Sequence, residues 1–168
     1  MRLLPALAAY FNAAGADPDG ELSERHEPET HLIPRALMAA SSLLPQLDVF
    51  GSDYETGDGT CVRDYIHVSD LADAHLAAVN YLEGGGETLR VNLGSGRGTS
   101  VGDILGAIQR VTGQAVPVHY QARRAGDPPA LFADIERARV TLGFTPSRSD
   151  IDTIIRTACP SFGLEAAS

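Results

Sequence analysis

The sequence predicts an α/β chain, and three patterns point that way. Short aliphatic runs such as Leu47–Phe50 and Leu89–Leu93 alternate with stretches of helical apolar period. Capping residues stand ahead of the helical stretches, and glycine or proline punctuates nearly every junction. With 168 residues and 43% hydrophobic content, the chain fits one domain and is too apolar to be disordered.

Met1 to Ala9 is an apolar, alanine-rich lead with no period, expected to be a divergent, disordered start; it is too short for a signal peptide. Asn12 to Thr30 carries Gly15, Asp17-Pro18, Asp19-Gly20 and Glu27-Pro28 and reads as a loop. A structureless run of that length points to function. Leu32 to Leu44 has helical apolar spacing, with Pro34 tolerated in the first turn. His31 stands at its start, where unpaired N–H groups suit an anion.

Leu47–Phe50 is a strand pattern, followed by a turn-rich loop from Gly51 to Thr60. Val62 to Val68 reads as a strand with Val62, Asp64, Ile66 and Val68 on one face and Arg63, Tyr65 and His67 on the other. Ser69 or Asp70 should cap the next helix, which Gly84-Gly85-Gly86 stops. The Gly94-Ser95-Gly96-Arg97-Gly98 run after strand Leu89–Leu93 is not a dinucleotide loop. Thr99 stands where a third glycine is needed, and no acidic residue follows at the required distance.

Ser100 and Asp103 form a capping-box pattern for a helix through Val111, ended by Gly113. Val116 to Tyr120 is an edge-strand pattern because of Pro117, and residues 123–129 are a loop. Asp134 should start a short helix closed by Gly143, and Ser149 with Asp152 should cap a last helix from Ile151 to Ala158. Residues 161–168 form a tail.

A net charge of −9 argues against nucleic acid or an acidic membrane surface as partner. Cys61 and Cys159 are too few for a disulfide framework or zinc site, and point to a reducing cytoplasm. All 13 basic residues are arginine. Chemistry that requires a lysine ammonium is therefore absent from these residues. His67, Asp70, Asp73 and His75 alternate between a strand and an exposed helix side, so they read as solvated polar residues and not as a metal site. Cys61 has only Arg63 nearby to lower its pKa, which is weak support for a nucleophile.

Arginine offers planar paired donors for a pyrophosphate. Arg63 and Arg124 are the candidates, with Asp64 and Asp127 as plausible ion-pair partners instead. The run from Gly51 to His75, with its Asp-Gly-Thr-Cys-Val-Arg-Asp-Tyr-Ile-His-Val core, resembles UDP-glucose 4-epimerases of the extended short-chain dehydrogenase/reductase family. Tyr10-Phe11-Asn12, Thr30 to Pro34, Val91 to Gly94 and Arg123 to Asp127 resemble it too, in order, so the likeness covers residues 10–160 as the family's C-terminal half.

The resemblance implies part of a doubly wound sheet plus a small α+β substrate-binding domain. It also implies interconversion of UDP-glucose and UDP-galactose with NAD, in galactose metabolism. By the same resemblance Arg63 and Arg124 hold the diphosphate, Asp127 takes the ribose hydroxyls, and Phe50 packs on uracil with the main chain near Asp48 reading its edge. Asn12, His31 and Leu32 line the sugar or phosphate side, Leu131 borders the hexose, and Phe11 falls on the cofactor side. The family's Tyr-x-x-x-Lys pair cannot exist without lysine.

The expectation is therefore a UDP-sugar binder with no catalytic residue of its own and no NAD bound alone. It would be association-prone, either with an N-terminal half or as a homo-oligomer. The alternatives are a noncatalytic UDP-sugar-binding or partner-binding module, or a degraded gene product.

Overall fold

The computed structural model describes residues 6–24 and 26–167. It is mixed α/β, as the sequence predicts. Four small sheets carry the strands: β1 (Ala6–Tyr10) with β6 (Leu89–Leu93), β2 (Asn12–Ala14) with β5 (Tyr65–His67), β3 (Leu47–Phe50) with β8 (Val118–Gln121), and a three-stranded sheet. In that sheet β4 (Val62–Arg63) lies between β7 (Thr99–Ser100) and β9 (Ala130–Leu131). Every pairing is parallel except β4 with β7.

Two apolar clusters hold these ladders. Helices α1 (Leu32–Ala40), α3 (Val101–Thr112) and α5 (Ile151–Ala158) pack around β3 and Tyr65. On α3 the buried face is Val101, Ile104, Ala107, Ile108 and Val111, the i, i+3, i+4 spacing of a helix lying on a core. The second cluster joins Ile66 and the inward side chains of β6 to Ala74 of α2 (Val68–Glu83) and Ala138 of α4 (Glu136–Leu142).

Several expectations are corrected. Ala6–Tyr10 is not an irregular start but strand β1, in register with β6 from Ala6↔Leu89 to Tyr10↔Leu93. A run of alanines carries no strand period, so the partner strand, not local preference, decides it. Residues 1–5 of that expected start lie outside the described residues.

Helix α1 ends at Ala40 rather than Leu44, because Ser42 takes a positive φ of 62° and the N–H groups of Leu43 and Leu44 fold back onto the Met38 carbonyl. The strand expected over Val62–Val68 breaks at Asp64, and Tyr65, Ile66 and His67 are all buried, so both faces meet protein.

Helix α2 starts two to three residues earlier than a Ser69 or Asp70 cap would place it. Its cap is the His67 ring, which accepts from Ser69 N at 3.1 Å, while Asp70 is buried and taken up by Ser147, Arg148 and Ser149. Asp150, not Ser149, caps α5. Strand β2 occupies the first three residues of the expected Asn12–Thr30 loop, and strands β7 and β9 and a 3-10 turn at Cys159–Phe162 have no counterpart in the sequence reading. The tail packs on the core: Phe162, Leu164 and Ala166 touch the first cluster, and Ala167 N donates to Val111 O. The capping box at Ser100 and Asp103 is formed with both of its hydrogen bonds.

Candidate functional site

Parallel strands deliver their carboxyl ends to one side, and open clefts form beside them. Here a cleft of about 880 Å³ is lined by the β1–β2 junction, the start of α1, the end of β3, strand β4 and the loop after β8. Phe11, Asn12, His31, Leu32, Asp48, Phe50, Arg63, Arg124 and Asp127 all line it. Leu131 does not. It sits on β9 in register with Arg63, its side chain half exposed.

The two arginines are differently held. Arg63 donates from Nη2 to Asp127 Oδ1 and from Nη1 to its neighbour Val62 O at 2.7 Å. Arg124 sits over Phe50, its Cζ 3.9 Å from the ring centroid. This stacking of a guanidinium on an aromatic face has no signature in linear sequence. Asp127 thus proves to be the ion-pair partner of Arg63, and Asp64 does not. The Asp64 carboxylate is fully buried, and it accepts from Ser95 N, Ser95 Oγ, Gly96 N and Ala133 N at 2.6 to 3.1 Å.

Asn12 places its side-chain amide on the Asp64 carbonyl at 2.7 Å, tying β2 to the β4–β5 break. The Asp48 carboxylate turns toward β8, accepting from His119 Nδ1 at 3.1 Å and Gln121 Nε2 at 3.4 Å. The His119 contact, followed by that of Gln121, holds its pKa below the ordinary value. At the mouth, Glu29 Oε1 takes the N–H groups of Thr30 and His31 and the His31 ring at 2.7 to 2.8 Å. Burial pushes the Glu29 pKa up, but the His31 contacts outweigh it and leave the carboxyl below its usual range.

The sequence reading missed Glu29. A carboxylate two residues ahead of a helix-capping histidine is the signal that could have found it. It also passed over Arg123, whose Nε donates to Asp53 Oδ1 at 2.6 Å and whose guanidinium lies over Tyr54. Cys61 lines the cleft, but burial pushes its thiol pKa up despite Arg63, which is the wrong direction for a nucleophile. Among the described residues no group of three or more His, Cys, Asp or Glu could hold a metal.

The glycine-rich turn after β6 does bind an anion, but the anion is the chain's own Asp64. Because Ser95 N and Gly96 N are committed to that carboxylate, the turn cannot cradle a dinucleotide diphosphate. A β-carbon at Gly94 would strike the same carboxylate. That turn is therefore no dinucleotide-phosphate site, and Phe11, the position that the resemblance puts on the cofactor side, lies in the cleft.

Known proteins resemble this chain along most of its length. The UDP-glucose 4-epimerase of Rhizobium leguminosarum bv. trifolii is 55% identical over 149 residues, 89% of this chain and 45% of that protein. That of Lacticaseibacillus casei is 51% identical over the same shares. A crystal structure of the Brucella ovis UDP-glucose 4-epimerase in complex with NAD superposes with a TM-score of 0.93 at 62% identity, covering 95% of this chain and 49% of that one. The Bifidobacterium longum enzyme, solved with NAD+ and UDP, gives 0.83 at 35% identity, covering 92% and 46%. The chain thus spans less than half the length of the curated relatives it matches. The family model for NAD dependent epimerases and dehydratases matches residues 5–94, more than half of the chain, and the chain belongs to that family.

Proposed function

We propose that residues 10–160 bind the uridine diphosphate part of a UDP-sugar and supply the substrate side of UDP-glucose 4-epimerase chemistry in the cytoplasm. The observation that carries this reading is convergence. Residues nominated from five separate stretches of sequence line one cleft whose wall carries Arg63 and Arg124. The cleft is of small-molecule size, and its lining combines the aromatic rings of Phe11 and Phe50 with charged groups that include Arg63 and Arg124.

In this reading the Arg124 guanidinium and the Arg63–Asp127 pair receive the diphosphate and ribose, Phe50 offers its ring to uracil, and Asn12, His31 and Leu32 border the sugar. Leu131 enters through β4, whose Arg63 it flanks, and sets the room left for the hexose. Charge-assisted bonds from arginine to phosphate are the strong contacts of such a site. No catalytic step is assigned to these residues, because no lysine is present to complete a Tyr-x-x-x-Lys pair. The NAD that relatives hold is not assigned to this chain alone. A companion chain or a second copy completing the sheet beside β1 belongs to the same reading, since that strand pairs on one side only among the described residues.

Titration calorimetry with UDP tests it. The expected result is saturable binding that Arg124→Ala weakens. No binding of UDP at millimolar concentration overturns it.

A further inference from the structure

We propose that Arg123 is a positioning residue of the cleft, holding the Arg124 guanidinium on the Phe50 ring by clamping the loop that follows Phe50. This rests on the reading of the cleft as a phosphate-binding site. Arg123 and Arg124 are neighbours in the chain, as are Phe50 and Gly51, so whatever joins Arg123 to the 51–54 turn fixes the Arg124–Phe50 contact from behind.

The join is extensive. Arg123 Nε donates to Asp53 Oδ1 at 2.6 Å, its Nη2 reaches the Asp53 carbonyl, and its Cζ lies 4.4 Å from the Tyr54 ring centroid. Gly51 N donates to Gln121 O at 2.9 Å, tying the same two segments on the other side. Gly51 has a φ of +87°, and a β-carbon there would strike the Tyr54 ring and Arg123 Cγ, so the approach is close enough to require glycine.

Tyr54 makes the clamp necessary. Its side chain is buried, yet its hydroxyl has no hydrogen-bond partner. Packing alone therefore holds the ring, and Arg123 is its lid. Without Arg123 the ring loses its cover, and its unpartnered hydroxyl provides no side-chain tether in its place. Beyond Arg124 the chain is fixed again, by Asp127 N donating to Arg124 O at 3.3 Å across Gly126. The Arg123 side chain thus restrains the chain on the N-terminal side of the cleft arginine, alongside the Gly51–Gln121 hydrogen bond. An exposed ion pair alone contributes little to stability, so the effect to look for is orientation.

Two measurements on the full chain test this. In NMR spectra without ligand, the Arg124 Nε–H resonance, assigned through Arg124→Lys, is shifted upfield by the Phe50 ring. Arg123→Ala, and Asp53→Ala at the exposed end of the clamp, return it to the free-guanidinium position. In calorimetry with UDP, Arg123→Ala weakens binding by about fivefold or more, and the loss disappears in the Arg124→Ala background because the effect runs through Arg124.

An unchanged Arg124 resonance in both variants overturns the proposal. So does an affinity loss as large in the Arg124→Ala background as in the parent chain. If the parent chain binds no UDP while the resonance still moves, the positioning role stands and the nucleotide reading falls.

Discussion

Arg63 and Asp127 stand 64 residues apart in sequence and form an ion pair on the cleft wall, with the arginine side chain largely buried. Asp127 already neutralises Arg63, whereas Arg124 has only the Phe50 ring and no ion-pair partner among the described residues. In the proposed reading, a diphosphate would compete with a carboxylate for one arginine and with a ring face for the other.

The two arginines should therefore differ in affinity experiments. Removing a charge-assisted bond to phosphate costs about 1.5–3 kcal/mol, roughly tenfold to hundredfold in Kd. Arg124→Ala should show that loss for UDP, and Arg63→Ala a smaller one. Calorimetry of both variants decides it: a larger loss for Arg63→Ala would mean that the pair opens at no cost and that Asp127 is not a competitor.

Turnover is a separate question. Purified from a host without its own 4-epimerase, this 168-residue chain should convert no UDP-galactose and should retain no NAD, because it has no lysine and its glycine-rich turn is filled by Asp64. A coupled assay for UDP-glucose and an absorbance spectrum of the protein are the measurements. Turnover, or stoichiometric NAD, would sink this expectation.

Asp64 shows where the sequence was legible and where it was not. Strands β3 and β6, the capping box at Ser100, and the ends of α3 and α4 at Gly113 and Gly143 were readable because local chemistry dictates each of them, whereas Arg63 and Arg124 were singled out through the family resemblance. What Asp64 does was not. Its four donors come from the turn after β6 and from Ala133, and no local rule brings residues 64, 95 and 133 together. The same holds for β1 and β9, whose strand character is imposed by β6 and β4.

Asp64→Asn should be strongly destabilising as a result. The amide would turn its own N–H toward backbone donors that now meet a carboxylate, leaving buried N–H groups unpaired. The cost should be about 3 kcal/mol or more, since each unsatisfied buried group costs about 1–3. Urea denaturation of the variant against the parent chain measures it, and a loss below about 1 kcal/mol would show that the turn finds other partners.

The pH dependence of stability should carry the mark of His67. Its ring is buried beneath Gly15, with Nε2 2.9 Å from Thr157 Oγ1 and Nδ1 accepting from Ser69 N. A proton on Nδ1 would face that N–H. Burial lowers the pKa, Asp70 and Asp150 oppose this, Arg148 assists, and the net direction is down. The unfolded chain then binds the proton first, so stability should fall as pH drops through about 6.5 and level off below the folded pKa. His26, exposed and raised by Glu24, acts in the opposite sense. The His67→Gln variant isolates the effect: its urea midpoint should lose the drop between neutral and mildly acidic pH. A parent midpoint that does not fall over that range would rule out the assignment.

The last prediction concerns β1. Among the described residues its ladder with β6 is two-stranded, so its outer edge offers unpaired N–H and C=O groups. The strand carries no charge from Ala6 to Tyr10, and Leu7 and Tyr10 are 52% and 56% exposed. On the neighbouring α2, Leu76 and Val79 are likewise exposed, at 60% and 50%, three residues apart on one side of the helix. An apolar, uncharged, open edge beside an apolar helix side lacks the devices by which sheet edges avoid pairing, namely charge, proline or a bulge. The purified chain should therefore associate with rising concentration, and Leu7→Lys should suppress this, because a charge on an edge strand opposes pairing without disturbing the buried face of β6. Light scattering across a concentration series, with hydrogen exchange at Ala6–Tyr10, is the test. A monomer at every concentration, with β1 already fully protected, would mean that this edge is closed within a single chain.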